Sequence, residues 1–213
     1  MGQIENQILI IHSRVHSADR RDNVKELLSL SSNSRVIDAK FDFSNEEILY
    51  WTDMNNFLAM PVIMYTEKVI TRVGCLLSHL DALKFIVKFE LNNVIILEDD
   101  AHIKMGMHTD FVKIVKEKTD SDDYIVYLGY SQNPKNDMVY CCHSYMIPSW
   151  KKAKIILDTI NETQQKKAID SLLVKLVQKA GLPYSFFDFF GQNHGYSYID
   201  KKDKKKPGTW EKH

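Results

Sequence analysis

The sequence predicts an α/β protein in which helices flank a mostly parallel sheet. Short apolar runs alternate with amphipathic segments along the first half of the chain, which is the pattern of strand–helix–strand units. The clearest run, Val94–Leu97, is apolar at every position, as expected of a strand that is buried on both faces of a parallel sheet. With 213 residues, the chain is long enough for one well-buried domain and short for two.

The first half of the chain contains two more predicted strands and two predicted helix starts. A buried strand is predicted over Gln7–Ile11 from its apolar, β-branched composition, and a further short strand over Arg35–Asp38. The capping box Ser44–Glu47 predicts the start of a helix. The mixed segment Asn56–Val73 is typical of a long surface loop, and Gly74–Leu91 has the apolar faces of a mostly buried helix.

The second half continues this alternation. Three elements are predicted there: a helix over Phe111–Lys118 and strands over Tyr124–Leu128 and Met138–Ile147. Pro148 suits the first turn of a helix, where its missing N–H costs nothing, and a last long helix should end at Gly181. Tyr184–Tyr198 is aromatic and irregular, so we expect a smaller, mixed C-terminal part.

Charge and cysteine content exclude several classes of function. Lys plus Arg balance Asp plus Glu at 28 each, so no overall field attracts nucleic acid or an anionic membrane, and we expect neither as a partner. Cys75, Cys141 and Cys142 are odd in number, two are adjacent, and they lack the spacing of zinc ligands, which predicts reduced thiols in a reducing compartment. The sequence has no signal peptide and no apolar run of about 20 residues, so we expect a cytoplasmic protein without a membrane span.

The domain organisation is predicted from the length of the chain and the composition of its last residues. We expect residues 1–200 to form a single domain. The Lys-rich stretch 201–213 is too polar to join a core and is typical of a solvated tail, or of a linker to further domains on its C-terminal side.

Chemistry-bearing side chains follow the predicted strands at the point where each strand ends. Because the carboxyl ends of parallel strands meet at one edge of the sheet, these side chains should lie close together. They are His12, Ser13 and Arg14 after the first strand, Asp38 after the second, Glu98, Asp99 and Asp100 after the third, and Gly129 and Tyr130 after the fourth. This edge is therefore the predicted ligand site.

The three consecutive carboxylates of Glu98, Asp99 and Asp100 suggest a metal ion. Unpaired charges are costly inside a sheet, so these side chains must contact water or a cation. Carboxylate oxygens suit a hard divalent ion, magnesium or manganese, which also binds phosphates. The alternative is an acidic loop without a ligand. No glycine-rich phosphate-binding motif occurs in the sequence, which favours a metal-dependent nucleotide site.

Five stretches of the sequence carry a family resemblance. G-C-L-L-S-H at Gly74–His79, followed after a helix by V-I-I-L-E-D-D-A at Val94–Ala101, resembles the glycosyltransferase family of lipopolysaccharide biosynthesis. A-D-R-R at Ala18–Arg21, Y-M-I-P-S-W-K-K-A-K-I-I-L at Tyr145–Leu157 and A-I-D at Ala168–Asp170 are similar to further motifs of that family. The resemblance implies a GT-A-like fold with a Rossmann-type sheet.

The resemblance also implies roles for the acidic motif. Glu98–Asp100 looks like the Asp-x-Asp motif of GT-A transferases, in which Asp100 would bind Mn2+ or Mg2+, Asp99 would contact the ribose and Glu98 would support them. Such enzymes often add a histidine near the C-terminus as a further metal ligand, and His194 is the best placed candidate. A loop histidine without a ligand is the alternative.

Further residues are candidates for the donor side of the site. His12, Ser13, Arg14 and Asp38 would meet the base and ribose of a nucleotide at the first two strand ends. The motif match implies a donor-site role for Ser78 and His79, although a packed histidine on a buried helix is the structural alternative.

The donor sugar is expected near Arg72. This residue could pair with a phosphate or a sugar hydroxyl, and a surface arginine is the alternative. The family usually has Gly-Glu where this chain has Arg72 and Val73. Because this segment is expected near the donor, the resemblance does not identify the donor sugar.

Two carboxylates are candidates for the catalytic base. The resemblance implies that Asp170 takes the proton of the acceptor hydroxyl or orients the acceptor, whereas its position in the first turn of a helix also has a structural explanation. Asp188 is the second candidate, because Phe186, Phe187, Phe189 and Phe190 flank it and aromatic rings stack on sugar faces.

These features predict an enzyme, a metal-dependent glycosyltransferase of the hexosyltransferase type. Its partners would be a nucleoside-diphosphate sugar, with uridine as the expected base, and the hydroxyl of a glycan or sugar acceptor. A metal-dependent nucleotidyl- or phosphotransferase would need the same acidic site, and a nucleotide- or carbohydrate-binding module without turnover would keep the fold. Both remain alternatives at this point.

Overall fold

The computed structural model describes residues 3–13, 18–40, 67–119, 124–132, 139–162, 173–174, 177–192, 196–197 and 202–203. Four helices are bounded there: α1 (Arg21–Leu28), α2 (Glu67–Lys88), α3 (His108–Thr119) and α4 (Trp150–Glu162). The strands are β1 (Ile8–His12), β2 (Ser34–Asp38), β3 (Asn92–Glu98), β4 (Ala101–Ile103), β5 (Ile125–Gln132), β6 (Val139–Ser149), β7 (Tyr184–Phe186), β8 (Phe190–Gln192), β9 (Tyr196–Ser197) and β10 (Lys202–Asp203).

Six of these strands form one sheet in the order β2-β1-β3-β6-β5-β7. Strand β1 pairs in parallel with β2 and β3, and β5 pairs in parallel with β7. Strand β6 runs antiparallel to both of its neighbours, β3 and β5. Within the described sheet five strands therefore point the same way, which confirms the predicted mostly parallel α/β fold.

The strands are apolar at successive positions because both faces of the sheet are covered. In β3, Val94 and Ile96 join one apolar cluster with α2 and α4, while Ile95 and Leu97 join another with α1 and α3. Strand β1 divides in the same way, with Leu9 on the first face. Since successive side chains of a strand point to opposite faces, this alternation produces a three-layer arrangement with helices on both sides. We call the two sides the α2 face and the α1 face.

Helix α2 begins earlier than the sequence suggests. Residues 67–73, the end of the predicted surface loop, are helical, because α2 starts at Glu67 rather than at Gly74. Its polar residues Asp81, Lys84 and Lys88 are at least partly exposed, whereas Leu83 and Ile86 are fully buried on the sheet. The prediction of a mostly buried helix is confirmed, and only its start is wrong.

Two other local predictions are also wrong. Pro148 does not open a helix: it lies near the end of β6, and α4 begins two residues later at Trp150. Tyr184–Tyr198 is not wholly irregular, because it contains β7, β8 and β9. Strands of two or three residues are too short to show an alternating pattern in a sequence. The predicted helix start at Ser44–Glu47 lies outside the described residues.

A short antiparallel ribbon joins the C-terminal part of the chain to the end of β3. Strand β4 follows the acidic motif directly and pairs with β8, with His102 opposite Gly191. A Cβ on Gly191 would lie 2.9 Å from Cε1 of His102, so only glycine fits in this ribbon without a shift of that ring. The ribbon fixes Gln192 beside the acidic motif.

Candidate functional site

The acidic motif lies at the carboxyl-terminal edge of the sheet, as the sequence predicts. Strand β3 ends at Glu98, and Asp99 and Asp100 form the turn that leads into β4. Asp99 and Asp100 are each 5% exposed, whereas Glu98 is partly exposed. The alternation along β3 continues past its end, so that Glu98 points to the α2 face and Asp99 to the α1 face. The three carboxylates therefore belong to two different networks.

On the α1 face, Asp99 and Asp100 surround a guanidinium group. The Arg20 side chain contacts Oδ1 of Asp99, and its Nη1 lies 3.4 Å from Oδ2 of Asp100. The Nδ1 atom of His12, at the end of β1, lies 2.8 Å from Oδ2 of Asp99. Both carboxylates are nearly buried, so these contacts are poorly screened by water and hold the turn firmly.

The charge of Arg20 follows from these contacts. Burial of the guanidinium by itself lowers the pKa of Arg20. The negative charges of Asp100 and Asp99 raise this pKa by a larger amount, so the net shift is upward. An arginine already titrates above the range in which proteins are stable. Arg20 is therefore positively charged at every pH at which the protein would be studied.

Asn23 holds the backbone of the same turn. Its amide nitrogen donates to the carbonyl oxygens of Asp99 and Ala101, both at 2.8 Å. Since Asn23 lies in α1, this double contact fixes the acidic turn relative to the helix that follows Arg20. The turn is thus held through its backbone as well as through its charges.

On the α2 face, Glu98 is the centre of a second network. Oε1 of Glu98 lies 3.1 Å from Nε2 of His79 and 3.8 Å from Sγ of Cys75, and Gln192 donates to Oε2 at 3.4 Å. The other ring nitrogen of His79, Nδ1, lies 2.9 Å from the hydroxyl oxygen of Tyr145. His79 is 1% exposed, so the structure places a packed histidine here, with both nitrogens in polar contacts.

Ser78 links α2 to the end of β2. Its hydroxyl donates to the carbonyl oxygen of Gly74 and accepts from the backbone N–H of Lys40, at 2.7 Å and 2.8 Å. The backbone N–H of Ala39 in turn donates to the carbonyl oxygen of His12 at 3.1 Å. The ends of β1 and β2 and the middle of the buried helix are therefore connected by hydrogen bonds.

The structure brings most of the predicted donor residues to this edge. Ser13 is buried directly after β1, and Asp38 is exposed at the end of β2, opposite His12 in the parallel register. Gly129 and Tyr130 lie inside β5 rather than after it. A Cβ on Gly129 would lie 2.6 Å from the carbonyl oxygen of Phe190, so this glycine allows β5 and β8 to approach closely.

The predicted catalytic residues are described only in part. Asp188 lies between β7 and β8, and its half-exposed side chain forms a 2.7 Å ion pair with Lys104. Arg14, Asp170 and His194 lie outside the described residues, and so does the side chain of Arg72, whose backbone belongs to α2. Their roles stay predictions.

Sequence reasoning missed the residues that hold the acidic motif. Arg20, Asn23, Cys75, Tyr145 and Gln192 each contact it or its histidine partner. The A-D-R-R motif was a signal for Arg20, and the G-C-L-L-S-H motif was a signal for Cys75. The pairing of Gln192 with Glu98 had no signal, because 94 residues separate them.

Comparison with known families identifies the class of enzyme. The chain matches the model of glycosyltransferase family 25, described as a lipopolysaccharide biosynthesis protein, over residues 7–181. The chain belongs to this family. The resemblance found in its motifs is confirmed, and the protein is a glycosyltransferase. Among curated proteins, none matches the chain significantly.

Solved structures support the same fold for this family 25 member. A glycosyltransferase involved in the glycosylation of the major capsid of PBCV-1 superposes with a TM-score of 0.53 and 11% identity, over 92% of this chain and 96% of that one. A resemblance of the chain to a chlorovirus glycosyltransferase agrees with this neighbour. At this identity the likeness shows the fold alone.

Two further structures are more distant. The glycosyltransferase GlyE from Streptococcus pneumoniae TIGR4 has a TM-score of 0.45 and 11% identity, over 87% of this chain and 45% of that one. A Bacillus anthracis structure assigned as a glucose-1-phosphate thymidylyltransferase has a TM-score of 0.44 and 8% identity, over 87% of this chain and 89% of that one.

In the described part of the chain, none of the helices is long and apolar enough to cross a membrane.

Proposed function

We propose that this family 25 glycosyltransferase is metal-dependent, with a GT-A-like donor site, and moves a sugar from a nucleoside-diphosphate sugar to a glycan hydroxyl. The observation that carries the proposal is the pair of nearly buried carboxylates, Asp99 and Asp100, at the carboxyl-terminal edge of the sheet. Buried charges of one sign are retained where they bind a partner of the other sign. Uridine is the base that we propose for the donor.

The chemistry of Asp100 fits a divalent cation. Carboxylate oxygens are hard ligands, which Mn2+ and Mg2+ prefer, and Arg20 lies close enough to balance part of the negative charge when no ion is bound. We propose Asp100 and His194 as the ligands. A bound cation would neutralise charge on the nucleoside-diphosphate leaving group.

The nucleotide would lie across the ends of β1 and β2. We propose that His12, Ser13, Arg14 and Asp38 contact the base and ribose. Asp99 contributes to the ribose site directly, since a carboxylate oxygen accepts more than one hydrogen bond and its contacts with Arg20 and His12 leave acceptor capacity. The guanidinium of Arg20, held between the two aspartates, is suited to pair with a phosphate oxygen.

The remaining donor contacts would come from α2. Ser78 fixes the backbone at Lys40 and so shapes the wall of the nucleotide site, while His79 acts on it through Glu98. Arg72, six residues before Ser78 in the same helix, is proposed to meet the donor phosphate or sugar. These are positioning roles for Ser78, His79 and Glu98, and a binding role for Arg72.

The acceptor needs a base that removes the proton of its attacking hydroxyl. We propose Asp170 for this role and Asp188 as the second candidate. Asp188 lies at the same edge of the sheet as the acidic motif, between aromatic residues of which Phe186 and Phe187 are partly exposed. Its ion pair with Lys104 keeps its carboxylate in a fixed position.

Thermal unfolding with Mn2+ and a panel of nucleotides tests the donor site. A ligand present at about 100 times its dissociation constant should stabilise the native state by about 2.7 kcal/mol, so the melting temperature rises measurably. We expect UDP or one UDP-sugar to raise it only when Mn2+ or Mg2+ is present. The Asp100→Asn variant should lose this rise, and Asp110→Asn, which removes an exposed carboxylate in α3, should keep it.

Three results would contradict the proposal. A rise with ATP and none with uridine nucleotides indicates a nucleotidyl- or phosphotransferase. A metal-independent rise that survives in Asp100→Asn removes the cation from the donor site. Uridine-nucleotide binding without sugar transfer or donor hydrolysis indicates a binding module.

A further inference from the structure

Three different metal-ligating side chains converge on the α2 face of the strand end. Cys75, His79 and Glu98 each offer one ligand atom, and these atoms lie within 4.8 Å of one another. In the part of the chain that the structure describes, no other group of three or more His, Cys, Asp or Glu side chains meets this spacing. We propose that these three residues bind a zinc ion, at a site separate from the Mn2+ or Mg2+ of the donor site.

The local structure explains how the three atoms meet. Cys75 and His79 are four residues apart on α2, so their side chains lie on one side of the helix, one turn apart. Glu98 ends β3 with its side chain directed at that face. A helix and a strand end that are already packed on a common core therefore present the ligands, and little movement is needed to bind an ion.

Two of the three distances between ligand atoms agree with tetrahedral zinc coordination, and the third, between Cys75 and His79, is within 4.8 Å. With Zn–N and Zn–O bonds of about 2.1 Å and a Zn–S bond of about 2.3 Å, nitrogen and oxygen ligands lie about 3.4 Å apart and sulfur and oxygen ligands about 3.6 Å apart. The corresponding distances to Oε1 of Glu98 are 3.1 Å from Nε2 of His79 and 3.8 Å from Sγ of Cys75. Each differs from the expected value by only a few tenths of an ångström.

The kinds of ligand select the ion. Thiolate and imidazole ligands favour zinc and related transition ions, whereas Mg2+ and Mn2+ prefer sites made of oxygen atoms. The α1 face offers the oxygen atoms of Asp99 and Asp100, and the α2 face offers sulfur, nitrogen and oxygen. Two ions of different character would therefore bind on opposite sides of one strand end.

Outer contacts resemble those of established zinc sites. A zinc-bound histidine uses its second nitrogen for a hydrogen bond that fixes the orientation of the ring. Here Nδ1 of His79 lies 2.9 Å from the Tyr145 hydroxyl, and the two rings stack with centroids 5.7 Å apart. Oε2 of Glu98, the oxygen turned away from His79, accepts from Gln192. The ligand atoms are thus oriented before an ion arrives.

The cluster is accessible to an ion from one side. His79 is buried, but the Glu98 side chain is 19% exposed and Cys75 is partly exposed. Three protein ligands leave the fourth position of zinc for water, as in open zinc sites. A bound ion would join the middle of α2 to the end of β3, next to Asp99 and Asp100.

Cobalt binding provides the first test, because Co2+ replaces Zn2+ in such sites and a thiolate ligand gives it a charge-transfer band in the near ultraviolet. We expect the band in the full-length, chelator-treated wild-type chain, and loss of the band in Cys75→Ser. The Cys141→Ser/Cys142→Ser double variant keeps Cys75 as its last thiol and should keep the band. Competition with Zn2+ should show binding at least about 10-fold weaker in Tyr145→Phe, which removes the outer contact.

A second measurement needs no variant. Zinc should protect Cys75 of the wild-type chain from alkylation, as read by mass spectrometry of the labelled peptide. No thiolate band and no protection in the wild type would overturn the proposal, as would a band that persists in Cys75→Ser. The outcome is independent of the donor site: Asp100→Asn should keep the cobalt band and lose the stabilisation by UDP with Mn2+.

Discussion

Glu98 and Asp99 are neighbours in the chain, yet they lie on opposite sides of the strand end and make different kinds of contact. On the α1 face, Asp99 and Asp100 form charge contacts with Arg20, and all three side chains are at most 19% exposed. On the α2 face, Glu98 shares hydrogen bonds with His79 and Gln192, and its side chain is 19% exposed, as much as that of Arg20. Three adjacent carboxylates therefore form two networks, and the period of the strand decides which side chain joins which.

The difference predicts unequal costs when each network is broken. A buried ion pair that loses one partner leaves an unbalanced charge in a poorly solvated place, which costs more than a lost hydrogen bond. The variants below are ordered by the size of their expected effect.

Arg20→Met should have the largest effect, a loss of about 3 kcal/mol in the free energy of unfolding measured with urea, because Asp99 and Asp100 lose their shared cation. Added Mn2+ should restore stability to this variant more than it stabilises the wild type, since a divalent cation replaces the missing charge. The control is Arg21→Met, at an exposed neighbouring position, where a change within about 0.5 kcal/mol is expected. Equal losses in the two variants would show that the ion contacts do not stabilise the turn.

His79→Leu should cost less, about 2 kcal/mol in the free energy of unfolding, since Glu98 and the Tyr145 hydroxyl each lose a polar partner without leaving a fully buried charge. A double-mutant cycle with Tyr145→Phe checks the contact between the two rings. Coupling of at least about 0.5 kcal/mol is expected for residues in direct contact. Purely additive losses would mean that the hydrogen bond between Tyr145 and His79 does not hold the ring.

Gln192→Ala should have the smallest effect, below about 0.5 kcal/mol in urea unfolding, because its hydrogen bond to Glu98 is long and partly exposed. The matched variant in the same strand is Gly191→Ala, whose new methyl would meet His102 at 2.9 Å. Crowding of this kind costs about 1–3 kcal/mol. If Gln192→Ala lowers the free energy of unfolding more than Gly191→Ala does, the stability of the β4–β8 ribbon depends on side-chain contacts rather than on the close approach of its two backbones.

The strands of the sheet were predicted well because each strand is recognised from the residues within it. The runs that became β1 and β3 are apolar and β-branched, and a charged triplet cannot continue a buried strand, so the strand end was visible without a structure. Prediction from local patterns failed where a strand was very short, or where a residue is compatible with two kinds of element. Strands β7 and β8 have three residues each, and Pro148 is as compatible with the end of a strand as with the start of a helix.

The partners of the acidic motif could not be read in the same way. Asp99 meets Arg20 across 79 residues and Glu98 meets Gln192 across 94, and such pairings depend on how whole elements pack. The cysteines lack the spacing of zinc ligands among themselves, so cysteine spacing gives no sign of the zinc site that we propose. That cluster contains one cysteine with a histidine on the same helix and a glutamate from a strand.

The alternation along β3 also has a consequence for how this enzyme varies during evolution. Substitutions on the α1 face change the contacts of Asp99 and Asp100, and substitutions on the α2 face change those of Glu98. The contacts on one side can therefore change by point substitution without altering those on the other. Insertion of one residue before Glu98 would exchange their carboxylates at once, so we expect relatives to tolerate replacements in this strand far more readily than changes in its length.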